Sequence, residues 1–282
     1  MTDDAVVIGA VLGSPISHSL SPALYQAAFN ELGIAGSYLA IDCTSTTLGS
    51  TFDELKQKHV RALSVTMPLK EVIIPLLDHI DSNAELLNAV NCVSFREGTA
   101  VGHNTDGDGC CDALEEQGSA VIRGATAVVL GAGGTARSVA LALGRRGATV
   151  VIVNRTLENA NALCERLAED IRTHGGDVRV GTYNDVQVAS ILVNTTSVGM
   201  NTTQSPLPSE YLHAQLAVLD AVYQPMTTTL LADAAGVGAT TVDGLWMLIQ
   251  QARRQCVHQF GEKPPVGVLR DAAERELSRR HK

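Results

Sequence analysis

Apolar residues run unbroken from Val6 to Leu12, a stretch rich in β-branched side chains and too short for a buried helix. It predicts a strand buried on both faces, ending at Gly13. Ser21 then supplies a helix cap and Pro22 a first-turn proline, and Leu24, Ala28 and Leu32 recur at helical spacing until Gly33 closes the segment. Ser37 to Cys43 reads as a second strand, Leu48 to Lys58 as a helix and Ala62 to Met67 as a third strand, so strands and helices alternate as in a parallel sheet. Asn91 to Phe95 and Thr99 to His103, joined through Glu97 and Gly98, predict a hairpin that would form an antiparallel edge.

The alternation restarts with a strand at Ala127 to Leu130, a glycine turn, a helix from Thr135 to about Arg146 and a strand at Thr149 to Val153, a complete βαβ unit. Further strands are predicted at Ile191 to Asn194, Val218 to Asp220 and Ala239 to Val242, followed by helices at Gly244 to Phe260 and Val268 to Arg280. The two halves meet near Gly107 to Gly118, and no internal repeat or low-complexity linker interrupts them. The fold class is α/β in two domains.

Composition narrows the function. With 45% hydrophobic and 18% charged residues over 282 positions, the chain has the means to bury a large core, and with only 4% aromatics that core is made of small aliphatics. A net charge of −9 gives no attraction for phosphate backbones or anionic lipid surfaces, so the expected partners are small molecules, with no nucleic acid and no membrane. No apolar run approaches the roughly 18 residues of a membrane helix. Met1 to Asp4 carries acids where a signal peptide has a basic region. Cys43, Cys92, Cys110, Cys111, Cys164 and Cys256 show no CxxC spacing, which fits reduced thiols in a cytoplasm, and the eight histidines show no metal-ligand spacing, so no metal is expected. The oligomeric form is expected to be a monomer or a homodimer.

The sharpest local signal is Val128-Val129-Leu130-Gly131-Ala132-Gly133-Gly134-Thr135-Ala136, a strand that enters GxGxxA and then a helix. Gly131 permits the tight turn, Gly133 lets the backbone approach a pyrophosphate, Ala136 allows close helix packing, and the helix N-terminus presents free N–H groups to the anion. At the end of the next strand, where an acid binds the ribose of NAD, the chain has Asn154-Arg155-Thr156. An arginine and a hydroxyl suit a 2′-phosphate, so NADP is favoured.

Three polar loops remain. Gly13 to Pro22 packs Ser14, Ser17, Ser19, Ser21 and His18 into a strand-to-helix connection, where Ser19 and Ser21 suit a hydroxylated or carboxylated ligand. Ser21 reads equally as a simple cap. Ser64 to Lys70 leaves Lys70 just beyond a strand, and an apolar wall would push such a lysine towards its neutral form. Taken alone, it reads also as a solvated charge. Asn104 to Gly109 holds Asp106 between Thr105 and Gly107, which is equally the pattern of a turn.

In order and across nearly the whole chain, these motifs resemble the shikimate dehydrogenase family. The matching pieces are Ser19-Leu20-Ser21-Pro22, Val65 to Lys70, Asn88 to Asn91, Gly102 to Gly107, Gly131 to Ala136, Asn154-Arg155-Thr156, Asn194 to Met200, Asp220 to Pro225 and Asp243 to Leu248. The resemblance implies an N-terminal α/β substrate domain with a mainly parallel sheet (1–107), a Rossmann NADP-binding domain (108–242) and C-terminal helices returning to the first (243–282). It implies reversible NADPH-dependent reduction of 3-dehydroshikimate to shikimate, a step of chorismate and aromatic amino-acid biosynthesis. Lys70 and Asp106 would be the catalytic pair. Ser19, Ser21, Thr66, Asn91, Asp106, Tyr223 and Gln251 would bind substrate. Gly131, Ala132, Gly133, Gly134, Thr135, Asn154, Arg155, Thr156, Ala221, Gly244 and Met247 would line the cofactor.

The chain departs from the family pattern at Ser64, where Asn is usual, at Asn159, where many NADP-using members carry a second arginine, and at Tyr25, where His or Asn is common. A second reading is an NAD-dependent quinate/shikimate dehydrogenase of hydroaromatic catabolism. Those relatives tend to have an acid after the second Rossmann strand and a threonine for one serine, whereas this chain has Asn154-Arg155 and keeps Ser19 and Ser21. A third is a non-catalytic metabolite-sensing module on the same fold; its mark would be loss of the lysine or the glycine turn, and neither is lost.

Overall fold

A computed structural model describes residues 6–280; the acidic Met1 to Asp4 segment lies outside it. The chain forms two compact units, one from the residues up to Thr105 together with those from Ala252 onward, the other from Asp106–Gln251. The expected ranges differ from these mainly in the long helix: its first turns belong with the second unit, because Gln250 donates from Nε2 to Glu116 at 2.7 Å and Gln251 lies against Gly109.

In the first unit β1 (Val7–Gly13) leads to α1 (Ser21–Leu32), β2 (Ser37–Asp42), α2 (Leu48–Gln57) and β3 (Ala62–Val65). Then come β4 (His79–Ile80), α3 (Ser82–Leu87), β5 (Cys92–Arg96) and β6 (Thr99–His103). The strand order is β2-β1-β3-β5-β6-β4. The β5–β6 hairpin turns at Glu97 and Gly98, both with positive φ, but it does not form the edge. β5 pairs antiparallel with β3, and the two-residue β4 lies outermost, parallel to β6. Leu12, Leu63, Val65, Val93 and Ala100 build the core with Phe52 and Leu55 of α2. α1 begins at Ser21 with Leu20 at the cap, and Pro22 fills its first turn.

In the second unit α4 (Asp106–Glu116) precedes β7 (Thr126–Leu130), α5 (Gly134–Arg145), β8 (Thr149–Val153), α6 (Leu157–Thr173) and β9 (Asp177–Val180). β10 (Ile191–Asn194), β11 (Ala217–Asp220), α7 (Thr229–Gly236) and β12 (Thr240–Val242) complete it. All its strands pair in parallel, in the order β12-β11-β10-β7-β8-β9. The order reverses between β7 and β10, the switch point at which doubly wound sheets hold ligands. Val128, Leu130, Val151, Leu192 and Val218 fill one face. α8 (Gly244–Phe260) begins in this unit and ends in the first, and α9 (Val266–Arg280) follows. Among the described residues no helix is long and apolar enough to cross a membrane.

Candidate active site

In the first unit the loops that carry the candidate substrate residues leave the sheet at one end of its strands. Leu12 is in register with Val65, Ser64 with Cys92, and Cys92 with His103. The loop after β1 and the loop after β3 are tied together, since Ser14 N–H donates to the Met67 carbonyl at 3.1 Å and Thr66 N–H to that of Leu12 at 2.9 Å. Leu69, fully buried, anchors the second loop, and the Lys70 carbonyl accepts from Val90 N–H at 2.8 Å, so the backbone of the half-buried Lys70 is fixed on both sides. In the first loop Ser19 Oγ accepts the Ser21 N–H at 3.2 Å. Leu20 holds the cap position of α1 without a side-chain bond; Ser19, one residue earlier, meets the first helical N–H, and the Ser21 hydroxyl makes no cap bond.

Asn91, expected in the substrate shell, is 2% exposed. Its Nδ2 donates to Thr105 Oγ1 at 3.1 Å and its Oδ1 accepts from Thr105 N–H at 2.9 Å. Both ends of the amide thus hold the residue immediately before Asp106. The Asn104 to Gly109 segment opens a helix rather than a turn: Asp106 is the first residue of α4, where a carboxylate is favoured by the helix dipole.

Ser64 is the hub of a buried network that sequence patterns did not reveal. The Tyr38 hydroxyl donates to Ser64 Oγ at 2.7 Å and accepts from Ser64 N–H at 3.0 Å, while Ser64 Oγ donates to Gln255 Oε1 at 2.5 Å. Tyr25, read from the sequence as neutral packing, stacks on Tyr38 at 3.9 Å and brings its hydroxyl 2.7 Å from Gln259 Oε1. Burial pushes both phenols well above the usual tyrosine range, so they act here as neutral donors. Gln255 Nε2 passes the chain of bonds on to the Asn91 carbonyl at 3.2 Å. The shorter serine in place of asparagine leaves no gap, because Tyr38 and Gln255 meet it.

In the second unit Gly131 takes φ +112°, a conformation closed to residues with side chains, and a Cβ there would meet Thr195 Oγ1 at 2.8 Å. Thr195 Oγ1 donates to the Leu130 carbonyl at 2.6 Å, joining the turns after β7 and β10. Gly133 caps α5 and is exposed, with open space where a Cβ would stand; Ala136 is buried under the helix. The arrangement leaves the first N–H groups of α5 facing outward, a cradle for a phosphate. At the end of β8 Asn154 Nδ2 donates to the Thr156 carbonyl at 2.8 Å, shaping a turn on which Arg155 is exposed. Thr156 caps α6 without a side-chain bond.

At the ends of β10 and β11, Asn194 and Asp220 are fully buried and joined by Asn194 Nδ2 to Asp220 Oδ1 at 2.8 Å; Thr228 donates to Asp220 Oδ2 at 2.7 Å. Burial raises the Asp220 pKa, against the bonds from Thr228, Val222 and Asn194 that stabilise the anion. This pair supports the chain on which Ala221 and Tyr223 stand, and Gly244 lies flush against the Ala221 carbonyl. Met247 is buried three residues further along α8, and Gln251 donates to the Leu248 carbonyl of its own helix at 2.8 Å.

Residues 11–93 match the family described as shikimate dehydrogenase substrate binding domain, and residues 113–197 match shikimate / quinate 5-dehydrogenase. The chain is 40% identical over 267 residues to the shikimate dehydrogenase (NADP(+)) of Natronomonas pharaonis, spanning 95% of this chain and 98% of that protein. A crystal structure of a shikimate dehydrogenase in complex with NADP+ superposes with a TM-score of 0.90 at 34% identity, covering 96% of each chain. The shikimate 5-dehydrogenase of Thermus thermophilus, in complex with NADP(H) and shikimate, gives 0.87 at 36% identity over 95% of this chain and 99% of that one.

Proposed function

The chain belongs to the shikimate dehydrogenase family, and from that premise we propose that it interconverts 3-dehydroshikimate and shikimate with NADP(H), with Lys70 as acid/base and Asp106 as its partner. The observation that carries the proposal is the single end of the sheet at which tied loops hold Ser19, Ser21, Thr66 and Lys70. NADP(H), when bound, supplies or takes the hydride. The residues present suit it: the Gly131 to Thr135 turn offers outward N–H groups to a pyrophosphate, and Asn154, Arg155 and Thr156 offer a cation and hydroxyl to a 2′-phosphate. Ala221, Gly244 and Met247 line the remainder.

Reduction of a ring ketone leaves charge on its oxygen, and Lys70 Nζ delivers the proton there; in the reverse direction it takes the hydroxyl proton. Asp106 orients the ammonium between turnovers. Ser19 and Ser21 donate to the substrate carboxylate, while Thr66, Asn91, Tyr223 and Gln251 orient its hydroxyls, so that one ring position is presented for reaction. Six unpaired, buried cysteines support work in a reducing cytoplasm.

Initial rates at 340 nm with shikimate or quinate crossed against NADP+ or NAD+ test the proposal. Shikimate with NADP+ is expected to be the fastest pair, and Lys70→Ala to lower kcat by about a thousandfold while shikimate still binds. Fastest turnover of quinate with NAD+ would overturn it.

A further inference from the structure

α9 brings Arg280 to the loop that carries Ser19. Its Nη1 donates to the His18 carbonyl at 2.7 Å and its Nη2 to the Ser19 carbonyl at 2.9 Å, so one guanidinium holds two consecutive peptide oxygens. Its Nε donates to Glu276 Oε1 at 2.8 Å, one turn back on the same helix. Hydrogen bonds from Arg279 and Arg280 hold the Glu276 carboxyl at about 2, so this anchor is an anion throughout the neutral range. The helix itself is docked by Leu269, Ala272, Ala273 and Leu277, all buried, and does not depend on the arginine for its place.

Ser19 is thereby constrained at every backbone group. Its N–H donates to the Ile16 carbonyl at 2.9 Å, its carbonyl accepts from Arg280, and its Oγ accepts from Ser21 N–H at 3.2 Å. With one lone pair of Oγ engaged by the chain, the hydroxyl keeps its proton as a donor. A planar fork presents two donors in fixed geometry to the adjacent carbonyls, whereas an ammonium is a compact charge without that geometry.

We propose that Arg280 is a positioning residue that fixes the Ser19 hydroxyl for the substrate carboxylate, an inference that rests on the role given above to Ser19. It acts on carboxylate recognition and leaves the chemical step alone. Steady-state kinetics with shikimate and with its uncharged methyl ester test it, alongside calorimetric titration with shikimate, which reads Kd without turnover. Arg280→Ala is expected to raise KM and Kd for shikimate about tenfold, with kcat and KM for NADP+ within about twofold, and to shrink the preference for shikimate over the ester by a similar factor. Arg280→Lys, which retains the charge but not the fork, is expected to raise KM about threefold and decides the matter if the alanine variant does not fold. Arg279→Ala, which removes the neighbouring charge from Glu276 but touches no loop carbonyl, is the control with unchanged KM. Equal losses for shikimate and ester, or unchanged Kd in both Arg280 variants, overturn the proposal. Failure of the unmodified protein to oxidise shikimate, with Kd still dependent on Arg280, would instead overturn the proposed reaction and leave the positioning role standing.

Discussion

His258 lies half-buried with its ring stacked on His103 at 4.0 Å, and His103 Nδ1 is 2.9 Å from Asp81 Oδ2. Burial lowers the His258 pKa from 6.5, and the charges of His103, Arg254 and Arg96 add to that, with Asp81 opposing. The unfolded chain therefore takes up this proton more readily than the folded one. Stability from this site is complete above about 6.5 and declines as pH falls towards the depressed native value. The Asp81 carboxyl, lowered against its own desolvation by the bonds from His103 and Ala84, carries the loss further into acid. Between about pH 7.5 and about pH 5.5 the urea midpoint is expected to fall, and to fall less in His258→Phe, which keeps the stacked ring without the proton. An equal fall in both proteins would mean that another group controls the acid limb. Asp220 works in the opposite sense, because its raised pKa makes the folded chain the better proton acceptor. That carboxylate is retained at a cost in stability to hold the turns after β10 and β11.

α4 shows how packing overrides local preference. Its sequence, Asp-Gly-Asp-Gly-Cys-Cys-Asp, is poor in helix formers and reads as a turn. A Cβ at Gly107 would overlap the Ser138 carbonyl of α5, so the glycine is there to let two helices touch rather than to bend the chain. Arg146, just beyond α5, then donates to Asp108 at 3.2 Å, Asp112 at 3.1 Å and Glu115 at 2.5 Å, a stripe along one face of α4. With only 23% of its side chain exposed, it shares its single positive charge among three neighbouring carboxylates. Arg146→Met is expected to lower unfolding free energy by about 2 kcal/mol in chemical denaturation, with an unchanged m-value. A loss below about 0.5 kcal/mol would place these pairs with ordinary surface salt bridges. Elements with strong periodicity and clear stops, such as β1, α1, β7 and α5, were legible in the sequence. β4 was not, because two residues hold no period, and the hairpin's place inside the sheet was not, because no local pattern records the outer neighbour. The glycine turn and Lys70 were legible as motifs. The Tyr38–Ser64–Gln255 network was not: its partners lie 26 and 191 residues from Ser64, and only folding brings them together.

The six cysteines sample both compact units, with Cys43, Cys92 and Cys256 in one and Cys110, Cys111 and Cys164 in the other. All are buried, and burial pushes Cys110 and Cys256 up to about 12 and Cys164 to about 11. A thiol reagent at about pH 8 needs both exposure and thiolate, so the native protein is expected to react at none of them within minutes. α8 decides what happens on unfolding. It is one unbroken helix whose Gln250 is buried in the second unit and whose Gln255, Cys256 and Gln259 are buried in the first. Melting either core removes the packing that holds half of this helix, and a helix of that length is marginal once half its contacts are lost. The units are therefore expected to open together, with six adducts appearing at a single denaturant midpoint when labelling is followed by intact mass. Accumulation of a species with three adducts would show instead that α8 breaks at the boundary and that each sheet unfolds on its own.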